Sequence, residues 1–291
     1  MSTTWHFTYL QRQLRAWFAR LYYDGTDWIS TLRALAQHRG LDFNAEFDLK
    51  QWQFITPYRL RTLIAAAQEF DFPHDSKYRK DYIGPLIMLD RKEVVDEPDY
   101  QQALQSIAAK KRSDVQRSLI FCSMGTMDSS YDYFRRVIDA VADQPNWDLI
   151  LAVGNKLPLD RFDPLPDNAY LFQKVPQLDA LKQADLCLNH GGISTINECI
   201  LLGVPMLVYS DGFFDRNGNA ARVAYHDLGL RGDFYKDTAD QIARNIEQLL
   251  TDHQYKANVK QMQQIYLSYH NSDTVAQLVH EMLNNNEKEP L

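Results

Sequence analysis

At 291 residues the chain exceeds one average domain and can bury a sizeable core. Its 45% hydrophobic and 24% charged content is that of a globular protein, and a formal net charge of -7 argues against nucleic acid as a partner, since that needs a basic surface. Cys122, Cys187 and Cys199 are odd in number, lack metal spacing and sit in apolar segments, which reads as buried reduced thiols in a cytoplasmic protein, with no metal site.

Residues 4–23 read as an amphipathic helix with Leu10, Leu14, Trp17, Phe18 and Leu21 on one face and only basic charges before Asp24. Such a helix either packs on the rest of the protein or lies against a membrane surface as a peripheral contact. Arg12, Arg15 and Arg20 interrupt anything resembling a secretory leader. The longest apolar run, Cys199 to Tyr209, is too short to cross a bilayer and contains Gly-Val-Pro. Trp28, Ile29, Leu32 and Leu35 predict a second helix ending near Gly40. A third is predicted from the start signal Thr56-Pro57 and the face Leu60, Leu63, Ile64, Ala67. Phe43 to Phe54 stays open between a short helix and irregular chain. Residues 1–85 thus form a mainly helical N-terminal region, closed by the Gly84-Pro85 segment, and the charged stretch 86–99 reads as a linker.

From Tyr100 the pattern changes. A helix (Ala103 to Lys111) leads to apolar strands at Ser118 to Cys122, Leu149 to Val153 and Tyr170 to Phe172. Helices follow the first strand (Phe134, Val137, Ile138, Val141) and the third (Leu178 to Gln183), and four more run from Asn219 to Leu283. Strands spaced by helices predict a doubly wound parallel sheet over 100–270, with a helix and tail at 271–291. Ligands of such sheets bind beyond the carboxyl ends of the strands.

Asp185 to Val223 concentrates the chemistry. A buried strand, Leu186-Cys187-Leu188, stops at Asn189-His190-Gly191-Gly192, where glycines permit a sharp turn and close approach of a ligand. Ser194 and Thr195 read as capping hydroxyls of a helix that ends at Gly203-Val204-Pro205, before the strand Met206 to Tyr209. The free N–H groups and dipole at that helix start suit an anion such as a diphosphate, and Glu198, one turn on, suits a ribose diol. Each residue alone is an ordinary turn, cap or solvated position. Their joint order is what is informative.

That order resembles the nucleotide-sugar site of the UDP-glycosyltransferase family, including its macrolide-type bacterial members. The family's His-x-Gly, hydroxyl, Glu, Gly-Val-Pro, Asp-Gln and Asn-Ala positions read here as His190, Gly192, Ser194, Thr195, Glu198, Gly203-Val204-Pro205, Asp215-Arg216 and Asn219-Ala220. Arg216 stands where the family has Gln. The resemblance covers Tyr82 to the C-terminus and implies the Rossmann-like donor domain of a two-domain GT-B glycosyltransferase, preceded by only part of an acceptor domain. It implies that Ser123, Gly125, Thr126, His190, Gly192, Ser194 and Thr195 bind the donor diphosphate and Glu198 the ribose. Lys174, Val175 and Gln177 would flank the base, and Asp215, Arg216 and Asn219 would bind the sugar, with Arg216 offered to a phosphate or an acidic sugar. The implied function is metal-independent, inverting transfer of a hexosyl group from a UDP- or dTDP-sugar to a hydroxyl of a small lipophilic acceptor, with no cofactor beyond that co-substrate. No histidine of the first eighty residues sits in the family's catalytic-base loop, so the base is expected from a missing N-terminal region or a partner subunit. The alternative is a non-catalytic nucleotide-sugar-binding relic or a subunit that needs a partner for its acceptor domain, and an exposed apolar face on the N-terminal helix would predict an oligomer.

Overall fold

The computed structural model describes residues 25–43, 47–48, 56–57, 62–73, 80–93, 98–114, 117–125, 130–212, 215–270 and 273–286. The chain divides into two compact units, residues 1–64 with 73–81, and residues 65–72 with 82–291. The expected aromatic helix at 4–23 lies outside the described residues.

In the first unit the helix predicted around Trp28 is present as α1 (Gly25–His38), with Ala36 and Phe43 buried and the Arg33 guanidinium over the Phe43 ring. The third predicted helix is not there. Thr56–Pro57 (β2) pairs antiparallel with Phe47–Asp48 (β1), Thr62–Ile64 (β3) pairs with Lys80–Tyr82 (β4), and among the described residues of 56–70 only Gln68–Phe70, already part of the second unit, is helical, as one 3-10 turn. The spacing of Leu63, Ile64 and Ala67 fits a helix, but Thr62 and Ile64 are β-branched and stiff at χ1, which favours extended chain.

The second unit is built on a six-stranded sheet. Its strands are β5 (Ser118–Ser123), β6 (Trp147–Ala152), β7 (Ala169–Phe172), β8 (Leu186–Asn189), β9 (Met206–Val208) and β10 (Gly229–Arg231). They run in the order β10-β9-β8-β5-β6-β7, and all pairings are parallel. The connecting helices are α2 (Pro98–Ser113), α3 (Tyr131–Ala142), α4 (Gln177–Gln183), α5 (Ile193–Leu202), α6 (Arg216–Tyr225), α7 (Ala239–Thr251), α8 (His253–His270) and α9 (Thr274–Asn286). This is the expected doubly wound α/β architecture.

Both faces of the sheet are covered, which explains why its strands read as continuous apolar runs. Ile120, Cys122, Leu149, Leu151, Leu186, Leu188 and Leu207 pack with Phe134, Val137 and Ile138 of α3 and Ile242 and Ile246 of α7. The alternate residues Leu119, Phe121, Ile150, Cys187, Met206 and Val208 are equally buried. α5 packs between α4 and α8. Ser130 caps α3 by accepting the Tyr133 N–H at 3.3 Å, and Thr238 caps α7 by accepting that of Gln241 at 3.3 Å.

The charge buried in this core is paired. Asp148, at 0% exposure on β6, takes Arg117 Nε at 2.6 Å and Lys110 Nζ at 3.1 Å, fastening the end of α2 to the sheet. Removing either cation would leave a buried carboxylate short of donors, the costly case for an interior ion pair. Among the described residues no helix is long and apolar enough to cross a membrane.

The strand order has a consequence for ligands. The chain advances from β5 through β6 to β7 on one side, then returns to place β8 on the other side of β5 and continues outward to β10. Connections leaving β5 and β8 diverge to opposite faces, opening a crevice at the carboxyl ends of these two strands. Ser123 and Asn189 are register partners at that edge.

Candidate functional site

The loops leaving β5 and β8 meet at His190. A Cβ on Gly125 would lie 2.8 Å from His190 Cε1, and one on Gly192 would lie 2.7 Å from His190 Nε2. The imidazole therefore fits only because both neighbours are glycines. Gly125 (φ +76°) and Gly191 (φ +88°) also hold left-handed backbone that other residues resist. Ser123 lies half-buried on the same rim, and Thr126 lies outside the described residues.

The turn before α5 is tied on every side. Asn189 Oδ1 accepts the Gly191 N–H at 2.9 Å, and the Asn189 carbonyl accepts the Tyr209 N–H at 2.8 Å. Asn219 Nδ2 donates to the Gly191 carbonyl at 3.0 Å and to Asp215 Oδ2 at 2.7 Å. Asn219 is 5% exposed and so acts first as the brace between α6 and the glycine turn. Asp215 is exposed at the start of α6.

The residue that begins α5 is not the expected one. Gly192 occupies the N-cap with no side-chain cap, Ser194 is exposed, and Thr195 Oγ1 accepts from Gln177 Nε2 at 3.4 Å. Ser194 and Thr195 lie two and three residues past the cap, inside the first turn, and so do not cap the helix. With glycine at the cap, no cap side chain takes the first N–H groups of α5, the arrangement that favours an anion. The other end of α5 closes as predicted, with Gly203 in the left-handed region (φ +70°) and Val204 N–H bonded to the Cys199 carbonyl at 2.8 Å.

Glu198 is 3% exposed and both of its oxygens are held. Arg91 Nη2 donates to Oε1 at 2.7 Å, and Gln177 Nε2 donates to Oε2 at 2.5 Å. Of the three base-flanking candidates, Gln177 therefore joins the carboxylate, Val175 is buried and Lys174 is exposed. Arg91 and Glu93 were not singled out from the sequence: they lie in the charged stretch read as linker, and Arg91 meets Glu198 across 107 positions. Arg216, 8% exposed, pairs with Asp211 through Nη1 at 3.1 Å from Oδ2. Beside this pair an open cleft of about 390 Å³ is lined by Ser210, Asp211, Gly212, Asn217, Arg231, Gly232, Asp233 and Phe234.

The crevice therefore gathers a glycine turn, the start of α5 and one imidazole, with the buried Glu198 carboxylate further along the same helix. Among the described residues no cluster of His, Cys, Asp or Glu is placed to hold a metal ion. A family described as Erythromycin biosynthesis protein CIII-like, C-terminal domain, matches residues 135–282, half of the chain. The chain belongs to this family. The match spans the glycine turn, Glu198 and the Asp215 to Asn219 segment, the residues that carried the resemblance in the sequence.

Relatives agree. The uncharacterized UDP-glucosyltransferase YdhE of Bacillus subtilis is 28% identical over 171 residues, 58% of this chain and 43% of that protein. Demethyllactenocin mycarosyltransferase of Streptomyces fradiae is 31% identical over 156 residues, 52% of this chain and 33% of that protein. The chain spans less than half the length of these curated relatives. Among solved structures, the glycotransferase of kitacinnamycin superposes with a TM-score of 0.70 at 22% identity, covering 94% of this chain and 66% of that one. The calicheamicin glycosyltransferase CalG4 gives 0.66 at 23% identity, covering 89% and 61%. At such identity the likeness speaks for the fold, and that fold is the GT-B glycosyltransferase type.

Proposed function

We propose that this chain carries the donor site of a glycosyltransferase that moves a hexosyl group from a UDP- or dTDP-sugar to a hydroxyl of a small lipophilic acceptor, without a metal and with inversion. The observation that carries this reading is His190 seated between Gly125 and Gly192 where the β5 and β8 loops converge. Breaking the anomeric C–O bond places charge on the departing diphosphate. The N–H groups at the start of α5, its dipole and His190 are fixed donors aimed at that charge, so little reorganisation is needed as it develops. Glu198 would hold the ribose, Val175 and its neighbours the base, and Asp215 the sugar hydroxyls. The acceptor hydroxyl must lose its proton to a base that none of these donor-side residues supplies. A solved relative of the same fold, VinC, is in complex with dTDP, which supports a nucleoside diphosphate as the ligand. The three free, buried cysteines suit a reducing compartment, and we place the protein in the cytoplasm.

Incubation with UDP-glucose or dTDP-glucose and hydroxylated lipophilic acceptors in EDTA, read by NMR of the product, tests the proposal. An inverted anomeric configuration is expected. A retained configuration, or turnover that needs added divalent metal, contradicts it. The absent base gives a specific reason for a second reading: with no donor-side residue to take the acceptor's proton, nucleotide binding with no transfer to any acceptor is what a non-catalytic binding chain would show.

A further inference from the structure

Arg91 belongs to a closed ring of hydrogen bonds that ends on Glu198. Its Nε and Nη2 both donate to Glu93 Oε1, at 2.9 and 2.7 Å, and the same Nη2 reaches Glu198 Oε1 at 2.7 Å. Glu93 is in turn anchored, its Oε2 accepting the Leu178 N–H at the start of α4 at 3.1 Å. One residue earlier, Gln177 closes the ring onto Glu198 Oε2. Lys182 Nζ holds the same segment by the Leu89 carbonyl at 3.5 Å. An arginine with two of its nitrogens fixed on one carboxylate oxygen is itself oriented, so what it presents to Glu198 is a set position rather than a mobile charge.

The arithmetic of acceptors matters here. An ionised carboxylate has about four lone-pair directions on its two oxygens. The ring takes one on each, from opposite ends of the group, and leaves one on each. Two acceptors about 2.2 Å apart on a fixed plane match adjacent hydroxyls of a diol, and a single hydroxyl would use only one of them.

We infer that Arg91 is a positioning residue for ribose recognition, which through this ring fixes the Glu198 carboxylate so that it selects the 2′,3′-diol of a ribonucleotide over a 2′-deoxynucleotide. This rests on the donor-site reading above, adds a residue to it and narrows its donor from UDP- or dTDP-sugars to the ribonucleotide, UDP, since dTDP is itself a 2′-deoxynucleotide.

Calorimetric titration of the wild type and of Arg91→Ala with UDP and with 2′-deoxy-UDP tests it, with melting temperatures recorded for both. The wild type is expected to prefer UDP by about tenfold or more, the value of one hydrogen bond to a charged group. Arg91→Ala should weaken UDP by about that factor while leaving 2′-deoxy-UDP within about threefold, so the preference collapses. Glu93→Gln, which keeps the guanidinium but loosens its anchor, should shift the preference in the same direction by less. A variant that weakens both ligands equally shows a merely structural arginine and overturns the inference, as does a variant that binds both as the wild type does. Absence of binding by the folded wild type overturns the donor-site reading and this inference with it, whereas an unaltered preference in the variant overturns this inference alone.

Discussion

Gly125 and His190 are in contact so close that a Cβ on the glycine would stand 2.8 Å from the ring. The loop after β5 and the loop after β8 can share the crevice only while that position carries no side chain. Gly192 presses on the same ring from the other side but has ordinary backbone, φ -66° and ψ 132°, so its constraint is steric alone.

The two glycines should therefore fail differently. Gly125→Ala adds a left-handed penalty of about 1–2 kcal/mol to the clash and should lower stability and nucleotide affinity together. Gly192→Ala is relieved by moving the imidazole, so stability should change by less than about 1 kcal/mol while nucleotide affinity falls about tenfold. In a His190→Ala background, Gly192→Ala should have no further effect on affinity. Melting curves and titrations of the two single variants and the double variant check this, and wild-type affinity in Gly192→Ala would refute the ring-positioning account.

Asp71 makes one edge of the second unit sensitive to acid. Tyr82 Oη donates to its Oδ2 at 2.5 Å, and Arg222 Nη2 lies 2.6 Å from its Oδ1. Burial pushes its pKa up, but the bonds from Tyr82 and Arg222, the guanidinium charge and the Phe72 N–H outweigh that and hold it below the usual carboxylate value. A carboxyl whose folded value is depressed stabilises the fold above its unfolded value, about pH 4, and that contribution is lost as pH falls through the folded value. Arg222→Ala should cost about 1–2 kcal/mol at neutral pH and flatten the acid limb of stability below about pH 4. Parallel melting-temperature profiles for the two proteins from neutral pH to acid would be inconsistent with this pairing.

Arg216 is the chain's departure from the glutamine found in the family it resembles, and Asp211 is its partner at 3.1 Å. A guanidinium at 8% exposure and already facing a carboxylate is poorly placed to trade that partner for an acidic sugar. Arg216→Gln should destabilise by about 1–3 kcal/mol, Asp211→Asn should restore part of the loss, and the choice between UDP-glucose and UDP-glucuronate should not move. Competition binding with the two donors reads the last point, and a swing towards glucose in Arg216→Gln would show the arginine serving the sugar instead.

What could be read from the sequence follows from burial. Strands such as Leu149 to Val153 are covered on both faces and appear as unbroken apolar runs, so the sheet and its strand-end loops were visible in advance. Gly229–Arg231 was not, because Gly-Leu-Arg is three residues long with no pattern of its own. Between Thr56 and Ala67 the apolar spacing points to a helix while the β-branched Thr62 and Ile64 favour extended chain, and in the folded protein the second preference prevails. His190, Gly192 and Glu198 were legible because they fall within one strand-turn-helix segment. Arg91 and Asp71 were not: their partners Glu198 and Arg222 lie 107 and 151 positions away, and only the folded chain brings them together.

The central claim is that the crevice holds a nucleoside diphosphate through backbone N–H groups and Glu198, with no metal. Titration calorimetry with UDP, dTDP and UDP-glucose in EDTA, on the wild type and on Glu198→Gln, tests it most directly. The account predicts one site per chain, filled without metal, and a loss of about tenfold or more in UDP affinity for a Glu198→Gln protein that still melts cooperatively. A folded wild-type chain that binds none of the three ligands, or binds them as tightly without the carboxylate, would contradict it.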